Sequence, residues 1–298
     1  MEFVAEYGLN SLKSKVEKWV FEQRSRCGEV LEQPKELIKK YELVQDEQTF
    51  KKWIDKIIRA SKVAIDTETT GLNIFRDKIV GFSMSVNEGE ACYVPLFHKT
   101  QSDMADLFGN VKSEQIKQLS TDVVKKYLKP VLESKSILKI GHNIKFDMHF
   151  LAQIVGEDAN IFPIEDTAVL SYDLDSSEHG HGLDELADIF LNYQTIKYED
   201  VCGTGKNKIS FEYVLLDKAL EYAAEDADIT LRLYNVLKNR LISERKIAVY
   251  ENIDRPLISV LKDMEQNGIM IDTAALMELN ETFAAKMQVL EKEIYNLG

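Results

Sequence analysis

The sequence predicts an α/β fold: one mixed sheet flanked by helices, with a helical segment at each end. Three observations lead there. Val63-Ala64-Ile65 is a β-branched apolar run of strand character that ends in acids. Residues 78–86 and 91–96 read as a hairpin around the turn Asn87-Glu88-Gly89-Glu90. After that, helical and strand periods alternate, as they do when helices connect the strands of one sheet.

Taken in order, residues 1 to about 45 are charged and helical in pattern, with the stretch Leu31 to Tyr41 broken by Pro34. The α/β pattern occupies about 46 to 245. It opens on a strand at Lys62 to Glu68 and continues through the hairpin to a helix over Ser113 to Glu133 and a short strand over Ser136 to Ile140. A helix follows from Ile144 to Val155 with Asn143 as its expected N-cap, and a longer one from Asp217 to Leu241. From about Ile247 the pattern changes, and a last helix is expected from Thr273 to Leu297 behind an Asp272 cap. Its residues Leu276, Leu279, Phe283, Met287, Leu290 and Ile294 form one apolar stripe. A stripe left uncovered must fold back, pair with a second copy, or fray.

Four carboxylates occur in three short patterns. Asp66 and Glu68 are i, i+2 on a strand and so share a face. Asn143 and Asp147 are i, i+4 on a helix and project to one side. Asp226 falls on the apolar face of its helix with Tyr222, Ala223, Ile229 and Leu233, where an unpaired acid demands a compensating partner. Glu225 and Asp228 flank that face and read as surface charges. Acids held together without Lys or Arg need a cation, so divalent metal and phosphoryl chemistry are indicated. Each pattern alone also has a structural reading: a strand end before Gly71, a capping face at Asn143, or a core Tyr222 whose hydroxyl is satisfied by Glu68.

Asp66-Thr67-Glu68, Asn143-(three residues)-Asp147 and Tyr222-(three residues)-Asp226, in that order, resemble the three motifs of the DEDD 3′→5′ exonucleases of the Tyr subclass. Gly141-His142-Asn143-Ile144-Lys145-Phe146-Asp147, Gly203-Thr204-Gly205-Lys206-Asn207 and Tyr222-Ala223-Ala224-Glu225-Asp226-Ala227-Asp228 are similar to the proofreading domain of the bacterial DNA polymerase I family. The resemblance runs from about Glu47 to the C-terminus and implies a ribonuclease H-like sheet. It further implies a 3′→5′ exonuclease that releases nucleoside monophosphates from single-stranded or mismatched DNA ends during replication and repair.

The same resemblance implies roles. Asp66, Glu68 and Asp226 would hold one Mg²⁺ that carries the attacking water; Asp66 and, through water, Asp147 would hold a second, with Mn²⁺ or Zn²⁺ able to substitute. Two such ions about 3.5 to 4 Å apart stabilise both oxygens of an in-line displacement. Tyr222 would orient the water. Leu72, Tyr198, His142, Asn143 and Phe146 would meet the substrate, though Phe146 stands where the family often has Tyr, and His142 where it often has Gln. Residues 1–45 would connect to a preceding 5′-nuclease domain, and residues 246–298 would begin a polymerase domain, reaching into its thumb without polymerase activity. The implied partners are a single-stranded DNA 3′ end and the polymerase domain of the same chain, in the cytoplasm at the nucleoid.

Composition sets limits on these expectations. The net charge is −13, and Glu157 to Asp188 holds ten acids without one Lys or Arg, which excludes a broad basic duplex-binding surface. Lys145, Lys197, Lys206 and Lys208 remain as local phosphate contacts. Cys27, Cys92 and Cys202 are widely spaced and read as reduced thiols, and no apolar run reaches the length of a membrane span. An RNase D-like 3′ exoribonuclease and a catalytically decayed structural module stand as alternatives.

Overall fold

The computed structural model describes residues 38–100 and 116–297. Its strands are β1 (Lys40–Leu43), β2 (Lys62–Thr69), β3 (Ile79–Asn87), β4 (Glu90–Pro95), β5 (Leu138–Gly141) and β6 (Ile164–Asp166). They make one mixed sheet in the order β1-β4-β3-β2-β5-β6. β2, β3 and β4 pair antiparallel, whereas β1 joins β4, β5 joins β2 and β6 joins β5 in parallel. The α-helices longer than one turn are α1 (Glu47–Ala60), α2 (Thr121–Glu133), α3 (Ile144–Val155), α4 (Thr167–Asp175), α5 (Leu183–Leu191), α6 (Tyr198–Cys202), α7 (Leu216–Ser243), α8 (Arg255–Asn267) and α9 (Thr273–Leu297). This is the mixed α/β architecture that the sequence predicts. Among the described residues, no helix is long and apolar enough to cross a membrane.

Local chemistry explains the elements that frame the site. Asp46 accepts the Thr49 N–H at 2.9 Å and starts α1, whose Phe50, Trp53, Ile54 and Ile57 recur at helical spacing and are buried. The Trp53 indole donates to Glu42 at 2.7 Å and so ties α1 to β1. The pleat of β2 then sorts its side chains. Val63 and Ile65 enter the large apolar cluster with α1, α2 and α3, while Ala64 faces the other way, against Ile140 and Leu231 of α7. By the same alternation Asp66 and Glu68 fall on the α7 side of the sheet, and Thr67 on the α3 side.

Several expectations need correction. The expected α/β unit begins near 46, yet β1 precedes that point and pairs with β4. The helix expected from Ser113 begins at Thr121, because Ser120 takes the cap position and accepts the Val123 N–H; residues 113–115 lie outside the described residues. The first compact unit continues to Lys262, and a second begins at Asp263. Tyr250 ties the segment after α7 to the sheet. It is fully buried, donates to Glu165 at 2.6 Å and accepts the Asp166 N–H at 3.1 Å, and Arg255 reaches Glu165 at 3.2 Å.

Helix α9, in the second unit, is exposed along its described length, including its Leu276, Phe283 and Ile294 stripe. Cys92 and Cys202 are buried free thiols. Cys27, the broken stretch from Leu31 and most of the expected connector lie outside the described residues.

Candidate active site

At the C-terminal end of β2, the two acids on the α7 side meet the acid that α7 contributes. One carboxylate oxygen each from Asp66, Glu68 and Asp226 lies within 4.8 Å of the others. Glu68 and Asp226 are buried and Asp66 is half-buried. Glu68 Oε1 is buried without a hydrogen-bond partner. Among the described residues none of the three pairs with Lys or Arg, so no described side chain supplies the countercharge that a buried cluster requires.

Asp147 reaches the same place from the other side of the sheet. It is buried, and its Oδ1 accepts both the N–H (2.9 Å) and the hydroxyl (2.6 Å) of Thr67. Thr67, between the two acids of β2, therefore clamps α3 to the strand end. That residue went unnoticed in the sequence, although its place on the opposite face of an Asp-Thr-Glu strand was a readable signal.

Asn143 takes the expected N-cap position of α3, without a side-chain capping bond. It has φ +60°, a left-handed conformation that Asn tolerates. The buried Asp166 serves instead. Its carboxylate accepts the N–H groups of Asn143 (3.1 Å) and Ile144 (2.9 Å) at α3, and of Ala168 (2.9 Å) and Val169 (3.3 Å) at α4. One carboxylate thus starts two helices and fixes the approach of Asp147.

Glu225 and Asp228 are not surface charges. Both are about 1% exposed. Glu225 accepts from Lys39 (2.8 Å), from the Ile196 N–H (2.6 Å) and from the Tyr193 hydroxyl; Asp228 accepts from the Gly89 N–H (2.7 Å) and the Tyr41 hydroxyl (3.1 Å). These partners come from β1 and the residue before it, the hairpin turn and the segment before α6, so the two acids fasten α7 across the sheet.

Burial and mutual repulsion dominate the electrostatics. Burial pushes Asp66 up to about 7. Glu68 is held well above the usual carboxylate range by burial, then by the charges of Asp66 and Asp226. Asp147 and Asp226 are raised for the same reasons, opposed at Asp147 by the Thr67 bonds and at Asp226 by hydrogen bonding from Tyr222, one turn earlier on α7. Tyr222 is itself raised by burial and by Asp226, so its hydroxyl keeps its proton. Asp226, then Glu68 and Asp66, are the charges that raise it.

The acids open into a cavity of about 680 Å³. Leu72, His142, Phe146, Tyr198 and Tyr222 share its wall with the four carboxylates, whereas Asn143 is not on it. Leu72 is 84% exposed, and the exposed Tyr198 ring stands edge-on to Tyr222 at 6.3 Å. His142 Nδ1 lies 2.9 Å from the Thr167 hydroxyl, and burial lowers its imidazole to about 4, so it is neutral near pH 7. Of the four lysines expected at phosphates only Lys208 is on the wall; Lys197 pairs with Asp184 at 2.9 Å.

A family model described as 3′-5′ exonuclease matches residues 41–242, which begin in β1 and end in α7. The chain belongs to this exonuclease family. It is 38% identical over 267 residues to DNA polymerase I of Rhizobium leguminosarum, covering 87% of this chain and 26% of that protein. With DNA polymerase I of Pseudomonas aeruginosa the identity is 36% over 259 residues, covering 87% and 27%. The chain therefore spans about a quarter of the length of these relatives. NrnC of Brucella melitensis shares the ribonuclease H-like fold, with a TM-score of 0.55 at 23% identity over 77% of this chain and 93% of its own; another structure of NrnC contains bound Mg²⁺.

Proposed function

We propose that this chain is the 3′→5′ exonuclease module of a bacterial DNA polymerase I, removing nucleoside monophosphates from single-stranded or mismatched DNA 3′ ends. The observation that carries the proposal is the set of three acids within 4.8 Å of one another, unpaired among the described residues, on the wall of a cavity that also exposes Leu72 and Tyr198. The orphaned Glu68 oxygen and the all-carboxylate donor set fit hard divalent cations. Asp66, Glu68 and Asp226 would hold one Mg²⁺, and Asp66 with Asp147, acting through water, a second; Mn²⁺ or Zn²⁺ would serve in their place. Bound there, the metals supply charge stabilisation for an in-line phosphodiester displacement.

The chain's own residues supply the positioning. Asp147 commits one oxygen to Thr67, which sets its orientation and leaves the other to act through water. Tyr222, kept protonated, directs its hydroxyl at the attacking water. Leu72 and Tyr198 receive the terminal bases, and such stacking accepts any base. An acidic protein tolerates this substrate because a frayed end is short, and the polymerase domain of the full-length protein would grip the duplex. That protein would work in the cytoplasm, at the nucleoid.

Tyr222→Phe is expected to slow single-turnover cleavage by about ten- to a hundredfold without abolishing it, since positioning is lost and the metal ligands remain. An unchanged rate would return Tyr222 to a packing role. The proposal itself is tested with 5′-labelled single-stranded DNA, matched duplex, mismatched duplex and RNA, each with Mg²⁺ or chelator. A ladder shortening from the 3′ end, fastest on single-stranded and mismatched DNA because melting terminal pairs costs energy, is expected. Faster loss of RNA would indicate the RNase D-like reading, and no Mg²⁺-dependent product would indicate a decayed site.

A further inference from the structure

Among its lining residues the cavity has four carboxylates and one side chain of fixed positive charge, Lys208. The fold goes to some length to put it there. Gly203, at φ +73°, turns the chain sharply after α6, and a Cβ at that position would lie 2.9 Å from the Asn207 carbonyl oxygen. The Ile209 N–H then donates to Cys202 O at 2.8 Å, folding the loop back so that Lys208 Nζ sits 5.3 Å from the centre of the Tyr198 ring. Lys208 is exposed and makes no ion pair among the described residues, so its charge is not spent on the acids nearby.

Two residues further on, Ser210 occupies the cap position of the 3₁₀ turn Phe211–Tyr213, yet its side chain makes no capping bond. Its hydroxyl is buried on the same cavity wall without a hydrogen-bond partner. A buried hydroxyl seldom lacks a partner, and a group bound in the cavity that Ser210 lines would supply one.

We propose that Lys208, supported by Ser210, binds a backbone phosphate of the substrate strand, and that this is not the scissile phosphate. The proposal rests on the exonuclease reading given above. The scissile phosphate belongs at the acid cluster, and Lys208 pairs with none of those acids. An anion held by Lys208 and Ser210 would be a second one, and in a strand entering 3′ end first it would be the phosphate on the 5′ side of the terminal linkage. An ammonium is a strong phosphate ligand as a point charge, and the Ser210 hydroxyl would donate to the same group.

The test uses two deoxydinucleotides that differ only in a 5′-phosphate. The wild-type protein is expected to prefer the phosphorylated one in kcat/KM by about tenfold or more, as for a hydrogen bond to a charged group. Lys208→Met should remove that preference, Lys208→Arg should keep it, and Ser210→Ala should reduce it. With a longer single strand in chelator, the salt dependence of binding should weaken in Lys208→Met by about 0.7 in log–log slope. If Lys208→Met slows both dinucleotides equally, Lys208 acts only by supporting the Tyr198 ring, and the proposal is overturned. Absence of the preference in the wild type would also overturn it while leaving the exonuclease reading intact. If neither dinucleotide nor any longer strand is cleaved, both readings fall.

Discussion

Asp226→Ala and Asp66→Ala are each expected to lower Mg²⁺-dependent nucleotide release by about a thousandfold or more, the scale of losing a main electrostatic contributor to catalysis. Each removes an oxygen from a cluster whose members lie within 4.8 Å of one another. The same change removes a source of repulsion, since the charge of Asp66 raises Glu68, Asp147 and Asp226. In chelator the melting temperature should therefore hold or rise, which separates loss of a metal ligand from loss of the fold. Near wild-type activity in either variant would remove that residue from the metal site.

Metal removal should make stability fall as pH rises. Burial pushes Asp66 up to about 7, and Glu68, Asp147 and Asp226 are also raised, whereas carboxylates of the unfolded chain lie near about 4. Over that interval the folded state binds more protons than the unfolded one, so stability is fullest below the unfolded values and is lost as pH rises through the folded ones. His98 and His142, both lowered to about 4, act in the opposite sense by favouring the folded state above about 6.5. The informative quantity is hence a difference: the melting temperature with saturating Mg²⁺ minus that in chelator should widen from pH 5 to pH 8. Asp226→Asn should flatten it. A difference independent of pH in the wild type would contradict the buried, mutually repelling acids described here.

The parts of this structure that were legible in the sequence are those whose signals are local. The strand alternation of Val63 to Glu68, the hairpin around Gly89 and the helical spacing around Asp226 each lie within one element, and the acids they carry converge as expected. What escaped depends on partners far along the chain. Glu225 and Asp228 read as surface charges because their partners Lys39, Tyr41 and Gly89 precede them by well over a hundred residues. Asn143 holds the cap position, but Asp166, on a strand formed later in the sequence, supplies the bonds. β1 has four residues and a half-exposed edge pattern, too short for periodicity to reveal. Tyr250 docks on Glu165 and Asp166, a contact that composition does not encode.

Calorimetric titration of Mn²⁺ into the chelator-treated protein, compared with Asp226→Ala, tests the metal site without relying on turnover. Binding that releases protons at pH 6 to 7, and that is lost or greatly weakened in Asp226→Ala, is the predicted result, because the ions replace protons on the raised carboxylates. Equal metal binding by both proteins, or none by the wild type, would contradict the account.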